Sequence, residues 1–544
     1  MTASFLQFYR DVIRQPLFWI PLLFFSIAAF GYDLFSYSLS TDDLNIEYYT
    51  EAMLHSRWGM VLLSHLTGIL HFVPFIDKYL ALAFLLLSGI MFCFLCYRLC
   101  DFKNVICYTL TAGVFVTYPL ISEIWGYIGA NYYSTGGQLC SILAVLVLHS
   151  NVSKLKRYLI AGTLMLFPVS SYEAPVFSYL TLVFITTFLE HISDASTEFS
   201  FRTVNSKILE YTVPLALAIT MRFLVSFLLY TFFDIDYHNV GATSISWIDA
   251  GLLASTISLI SSILYNYILA ALLYFPITEI VIGMLVFMVL TLYVSFRHRS
   301  PYPAVCGLFI ILASFSMSLV QGVAMPYRAA QTIPIFLAFF VFISYYYIAR
   351  HCQTFIRRTF AIMMMLICWY QGIYTNRILS LQLQCTANEA AMIHNIGRRI
   401  EKDYENKPCV FVSRYYIGKQ IDAQIRVDTS SWNGYLFHKI CSRIYNSPDG
   451  NANDQYVQTA VCPITNSYQC LKKVFAYYGY DIDVLGPMRM PYTPLWRKKS
   501  MILEEATRIA KERKMRPFEI YDNGEYLIVQ LSGREYYNEF FSEE

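Results

Sequence analysis

The stretch Ala81-Leu82-Ala83-Phe84-Leu85-Leu86-Leu87-Ser88-Gly89-Ile90-Met91-Phe92-Cys93-Phe94-Leu95-Cys96 carries no charge and a single hydroxyl. It lies in an apolar run over 78–97, about the length an α-helix needs to cross ~30 Å of hydrocarbon. Comparable runs occupy 17–35, 104–120, 135–150, 158–190, 208–232, 277–296, 302–324, 329–349 and 359–375. The 158–190 run is long enough for two crossings, folded about Pro168 to Pro175, which brings the expectation to eleven spans. Two more stretches, 58–75 and 249–275, are apolar enough to cross or to lie in the interface. Composition agrees: of 544 residues, 56% are hydrophobic and 14% charged. The chain reads as a mainly α, polytopic helical membrane protein embedded in a lipid bilayer.

Charge gives the orientation. Basic clusters at Arg10/Arg14, Arg98/Lys103, Lys154/Lys156/Arg157, Arg202/Lys207, Arg297/Arg299 and Arg350/Arg357/Arg358 belong on the cytoplasmic side. Successive clusters must then be separated by an even number of crossings. That parity makes 58–75 and 249–275 interfacial or re-entrant, and it places 36–57, 121–134, 172–175, 233–248, 321–328 and everything after 376 outside. If both ambiguous stretches cross instead, the helix numbers change but 36–57 stays outside. The first apolar segment lacks a small-residue cleavage site and reads as a retained span.

Residues 1–380 therefore form the membrane domain, and 381–544 a soluble mixed α/β domain on the outer face. There the apolar runs shorten to strand length, and roughly half of the basic residues are found. Strands are expected at Cys409–Val412 and Tyr526–Leu531, the second after a turn at Asp522-Asn523-Gly524, and a charged helix at Leu503–Lys514. Five of the 13 cysteines (Cys385, Cys409, Cys441, Cys462, Cys470) lie in this region, where an oxidising compartment permits disulfides, and their odd number leaves at least one unpaired. Cys93 and Cys96 sit inside an apolar helix and read as packing residues, not zinc ligands. A net charge of +2 argues against a nucleic-acid partner.

The outer loops hold the chemistry. The first contains Asp42-Asp43 and Glu47, then Ser56-Arg57-Trp58. Adjacent carboxylates can serve as a base for an acceptor hydroxyl or hold a cation, and Thr41-Asp42-Asp43 with Glu47 is also ordinary helix-start grammar. The second supplies Glu123, Trp125, Tyr132 and Tyr133, and the next turn supplies Tyr172 and Glu173. Carboxylates and aromatic rings returning to one level can grip a saccharide by hydrogen bonds and stacking. Arg222 interrupts an apolar run and needs an anionic partner or a route to the edge; with Arg57 and Arg328 it suggests a phosphate-binding set. No nucleotide-binding loop is present, so a donor on this face would be lipid-linked.

At these residues the sequence resembles the Gtr type II glucosyltransferases, which modify bacterial O-antigen and other surface polysaccharides and belong to the GT-C class. The resemblance rests on Asp42-Asp43, Arg57-Trp58, Tyr132-Tyr133, Ser171-Tyr172-Glu173 and Pro326-Tyr327-Arg328 and covers about 15–375. Family members commonly have Gly where this chain has Ser56 and Gln where it has Glu173. The resemblance implies an inner-membrane enzyme whose site faces the periplasm and which moves a sugar, glucose by expectation, from a polyprenyl-phosphate donor to a glycan acceptor. It makes Asp42 or Asp43 the catalytic carboxylate and Arg57, Arg222 and Arg328 the donor-phosphate ligands. Glu47, Glu123, Trp125, Tyr132, Tyr133, Tyr172 and Glu173 would bind substrate. No cofactor is required, although paired carboxylates leave a divalent cation open. A donor-synthesising glycosyltransferase and a small lipid-sugar flippase are the implied protein partners. The competing classes are a lipid-linked sugar flippase or exporter, which should show internal repeats, and a polysaccharide polymerase, which should use oligosaccharide diphosphates.

Overall fold

The computed structural model of the protein describes residues 4–36, 52–53, 55–68, 74–125, 128–193, 201–233, 246–249, 251–263, 275–322, 329–404, 407–412, 475–476, 478–483, 502, 505–516 and 518–530. These divide into two compact units, one up to Leu379 and one from Ser380 onward.

In the first unit, Ser4 and Gln7 form a reciprocal capping box that starts α1 (Phe5–Phe8), which continues as a π-helical turn to Ile13. Helix α2 (Pro16–Leu34) begins with proline, where no amide hydrogen is needed. Then follow α3 (Trp58–Thr67), α4 (Pro74–Cys100), α5 (Val105–Thr117), α6 (Ile121–Trp125), α7 (Ile128–Leu148), α8 (Lys154–Ser171), α9 (Ala174–Ser193) and α10 (Phe201–Phe233). After α11 (Ser246–Asp249) and α12 (Gly251–Ile263) come α13 (Phe275–His298), α14 (Tyr302–Ser314), α15 (Ser316–Gln321), α16 (Thr332–His351) and α17 (Thr354–Asp403). Among the described residues, six helices are long and apolar enough to cross a membrane: α2, α4, α9, α10, α13 and α16.

Several hydroxyls in the apolar helices are satisfied within their own helix, as lipid favours. Ser26, Ser88 and Thr111 each donate to the carbonyl four residues back. Helix α16 is central, with 78% of its apolar window buried, against 17% for α10. The outer face of α10 presents Phe223, Phe227 and Phe232, and α13 presents Leu285, Val289 and Phe296, as lipid-facing helices should. Packing runs from α4 to α7, α7 to α8 and α8 to α10, with α5 between α2 and α16. Glycine permits the tightest approaches: a Cβ on Gly59 of α3 would lie 3.0 Å from the Ser170 carbonyl of α8.

Three apolar runs have helix boundaries that their hydropathy alone does not mark. The 302–324 run breaks at Phe315 into α14 and α15. The hydroxyl of Thr332 stabilises this break by donating to the Ser314 carbonyl at 2.6 Å. In the 58–75 stretch, α3 stops at Thr67 because Gly68 turns left-handed at φ 72°. Its ten residues rise about 15 Å, half the hydrocarbon thickness. The 359–375 run lies within a 50-residue helix, so the polar sequence up to Asp403 continues α17 rather than ending it.

The second unit contains a three-stranded sheet in the order β1-β3-β2. Strand β1 (Cys409–Val412) runs parallel to β3 (Leu527–Gln530), and β2 (Ile520–Asp522) runs antiparallel to β3. The β2–β3 turn is built by side chains: Asp522 accepts from the Gly524 amide at 2.8 Å, and Asn523 from the amides of Glu525 and Tyr526. A helix at 505–512 covers the sheet with Ala506 and Ala510 against Val410, Val412 and Ile528. Lys407 bonds Asp522 at 2.7 Å, and that contact, with the Gly524 amide, holds the carboxyl below the usual aspartate range. Cys409 is a free thiol, pushed up to about 12 by burial.

Candidate functional site

Residues widely separated in sequence meet at the turn between α8 and α9. Tyr172 is extended there, and Glu173 stands directly before the first residue of α9. Its carbonyl accepts the Val176 amide at 3.0 Å, so Glu173 occupies the N-terminal end of that helix, where negative charge is favoured. One carboxylate oxygen accepts Arg57 Nη2 at 3.1 Å and the other accepts Arg222 Nη2 at 3.2 Å. Arg57 comes from the residue before α3 and Arg222 from the middle of α10. The Arg57 guanidinium also lies 5.7 Å from the centre of the Tyr172 ring.

Two guanidiniums against one carboxylate leave this cluster with a formal charge of +1. Burial alone would push the Glu173 carboxyl up, but Arg57 and Arg222 outweigh it and hold it below the usual glutamate range. The three side chains are only partly covered, with exposures of 35% for Arg57, 32% for Glu173 and 20% for Arg222. Such an arrangement, partly open and cationic, can take an anionic group of a lipid or sugar phosphate. Ser56, immediately before Arg57, adopts φ 58°, the left-handed region that turns the chain into α3.

A second cluster lies fully inside the protein. Lys78 Nζ of α4 pairs with Asp33 Oδ2 of α2 at 2.8 Å and also donates to the carbonyls of Asp33 and Ser36. All three ammonium protons therefore have acceptors at the outgoing end of α2. Asp33 Oδ2 accepts Trp125 Nε1 at 2.8 Å, and the Trp125 ring stacks on Phe30 with centroids 4.3 Å apart. Trp125 is completely buried, so it presents no face to solvent.

Tyr132 and Tyr133 are buried as well. Ser64 donates to the Met60 carbonyl, so Tyr133 donates to Ser64 and Tyr132 in turn to Tyr133, an ordered hydroxyl chain from α7 to α3. On the same end of α7, Gln138 donates to the Gln331 carbonyl at 3.1 Å and Gln331 bonds Ser134, which ties down the start of α16. These groups line a cavity of about 20 Å³, room for roughly one water.

The structure thus brings together Arg57, Tyr172, Glu173 and Arg222, and places Trp125, Tyr132 and Tyr133 in the supporting interior. Asp42, Asp43, Glu47 and Arg328 lie outside the described residues, as does the side chain of Glu123, whose backbone belongs to α6. Among the described residues, no three His, Cys, Asp or Glu side chains gather as metal ligands.

The family model described as Glucosyl transferase GtrII matches residues 31–345, more than half of the chain. The chain belongs to the GtrII glucosyltransferase family. No match was found among curated proteins or among solved structures. The region shared with GtrII begins two residues before Asp33 and contains Lys78, Arg57, Glu173 and Arg222, so both clusters fall within it. All of α17 and all three strands lie beyond it.

Several groups in this GtrII chain escaped sequence reasoning. Asp33 and Lys78 sit at the edges of two apolar runs, where single charges look like ordinary interfacial residues. Their opposite signs on adjacent spans were the signal for a pair. Glu279 and Gln371, each inside an apolar run, bond at 2.6 Å, and the cost of an intramembrane carboxylate was the signal for a partner.

Proposed function

We propose that this GtrII protein transfers glucose from a polyprenyl-phosphate donor to a surface polysaccharide or lipid-linked glycan on the outer face of the bacterial inner membrane. Family membership supplies the glucosyltransferase class. The observation that carries the lipid-phosphate donor is the Arg57–Glu173–Arg222 cluster: two cations held by one carboxylate, with Glu173 directly before one helix apolar enough to span and Arg222 within another.

In this reading the GT-C type membrane domain, 1–380, aligns donor and acceptor, and the mixed α/β domain, 381–544, faces the exterior. The acceptor hydroxyl attacks the anomeric carbon, and Asp42 or Asp43 takes its proton. The bond between that carbon and the phosphate oxygen breaks, and polyprenyl phosphate departs with the electron pair. Arg57 and Arg222, with Arg328, stabilise the growing negative charge, and direct displacement inverts the configuration. Glu173 acts before the chemistry by keeping two flexible guanidiniums in one orientation. Tyr172 offers a ring beside them. Trp125, Tyr132 and Tyr133 support the platform from below, while Glu47 and Glu123 contribute hydrogen bonds to the sugars.

The decisive experiment is transfer of labelled glucose from polyprenyl-phosphate glucose to purified surface polysaccharide in proteoliposomes. Wild type should transfer; Asp42→Asn or Asp43→Asn should abolish transfer, and Arg222→Gln should raise the donor KM. Translocation of the lipid-linked sugar without transfer would replace this reading with a flippase.

A further inference from the structure

Glu279 stands in α13, within the segment apolar enough to span the membrane, and no ion pair reaches it among the described residues. Its Oε2 accepts Gln371 Nε2 at 2.6 Å. Gln371, itself buried, lies with its oxygen 2.9 Å from Thr117 Oγ1, whose proton is shared with the Gly113 carbonyl at the same distance, and with its NH2 toward Glu279. Thr375, one turn along α17, donates to the Thr117 carbonyl at 3.0 Å and locks the same two helices. Glu279 Oε1 is closed to solvent and has no hydrogen-bond partner among the described residues.

The position of this relay is as informative as its bonding. Thr117 is the last residue of α5, a few residues before the short helix that ends at Trp125. Gly372, next to Gln371, lies against α2: a Cβ there would be 3.5 Å from Ala28 Cβ and from the Phe25 carbonyl. Ala28 is five residues from Asp33, about 7.5 Å along a helix. The relay therefore lies under the Asp33–Lys78–Trp125 cluster, at the end of the bundle from which the first loop departs.

A link between helices does not need a carboxylate. A neutral amide would make the same bond to Gln371 without the cost of burying an ionisable group. An oxygen held in place, satisfied on one side and unpaired on the other, suits a hydroxyl donor, the group that sugars supply in quantity. We propose that Glu279 is a specificity residue that accepts a hydroxyl of the donor's transferred sugar, with Gln371 and Thr117 as its positioning residues. This rests on the polyprenyl-phosphate glucose reading above.

The test is donor binding in lipid nanodiscs, which needs neither acceptor nor turnover. The probes are polyprenyl-phosphate glucose, its monodeoxy analogues and bare polyprenyl phosphate. Wild type should bind the glucose lipid about tenfold more tightly than one of the deoxy analogues, the upper range for a single neutral hydrogen bond. Glu279→Gln keeps its oxygen for Gln371 and turns an NH2 toward the ligand, so this ratio should fall to within about threefold of unity. Binding of bare polyprenyl phosphate should not change. Thr117→Val, which leaves the carboxylate but frees the amide, should reduce the same ratio partway, and it carries the test if Glu279→Gln does not fold. Wild-type selectivity retained in the variants, or an equal loss for all probes, would overturn the role of Glu279 and leave the donor reading standing. Failure of wild type to bind any glucose-bearing probe would overturn the donor reading, and this inference with it.

Discussion

Lys78 and Asp33 close a salt bridge of 2.8 Å with almost no solvent access, their side chains being 0% and 2% exposed. The ammonium also caps the carbonyls of Asp33 and Ser36, and the carboxylate holds Trp125, so one pair joins α2, α4 and α6. Removing one partner strands the other. Lys78→Met should destabilise the protein by about 3–5 kcal/mol and reduce the yield of folded material in detergent. The double variant Lys78→Met/Asp33→Asn, which keeps an acceptor for Trp125, should recover most of the loss. Thermal unfolding of both variants checks this, and a double variant no better than the single would contradict the pairing argument.

The Glu173 bridge sets a pH window. Its folded carboxyl lies below the usual glutamate value, so the bridge contributes fully above about pH 4.3, the unfolded value, and is lost as pH falls through the lower folded value. The stability difference between wild type and Glu173→Gln should be flat from pH 5 to 8 and shrink only in stronger acid. Because the groups are about a third exposed, the plateau should be small, about 0.5–1 kcal/mol. Donor kcat/KM should fall further, about tenfold, because the arginines lose their shared anchor.

Gly59 is where α3 presses on α8. A methyl group there would overlap the Ser170 hydroxyl, which is itself bonded to the Leu166 carbonyl at 2.7 Å. Gly59→Ala should cost about 1–3 kcal/mol and raise the donor KM, because Arg57 is two residues away. Combining it with Ser170→Gly should restore much of both. Melting temperature and KM, measured on the single and double variants, give the answer.

Ser56 holds φ 58°, a conformation that costs an L-residue about 1–2 kcal/mol and glycine almost nothing. Ser56→Gly should therefore raise stability by about 0.5–1 kcal/mol with activity unchanged. The resemblance noted above fits this, since family members commonly carry Gly before Arg-Trp. A lower melting temperature in the variant would count against the assigned turn.

Much of the architecture was legible because hydrocarbon is an exacting solvent. Uninterrupted apolar runs such as 81–96 must be helical, since only a helix satisfies its own backbone there. The break between α8 and α9 was readable from Pro168 and Pro175, and the strand at Cys409–Val412 from its length and residue types. The residue types of the Arg57–Glu173–Arg222 cluster were legible at and between the apolar runs, and Arg222 announced that it needed an anion. What could not be read was the anion's identity, because Glu173 lies 49 residues away on a different helix.

The sequence alone determined that this chain is a mainly helical protein with helices fit to cross a membrane, and that the segments between its apolar runs concentrate carboxylates, arginines and aromatic rings. Those properties follow from composition along a single segment. Tertiary structure alone decided the partnerships: Arg57 and Arg222 on one carboxylate, Lys78 under Asp33, and Trp125 turned inward as a support. The break at Phe315 belongs to the same class, being stabilised by a Thr332 hydroxyl from the following helix. The reason is physical. Hydrophobicity is a property of each segment and sums locally, whereas an ion pair or hydrogen bond depends on angstrom-scale distances between groups that only helix packing brings together.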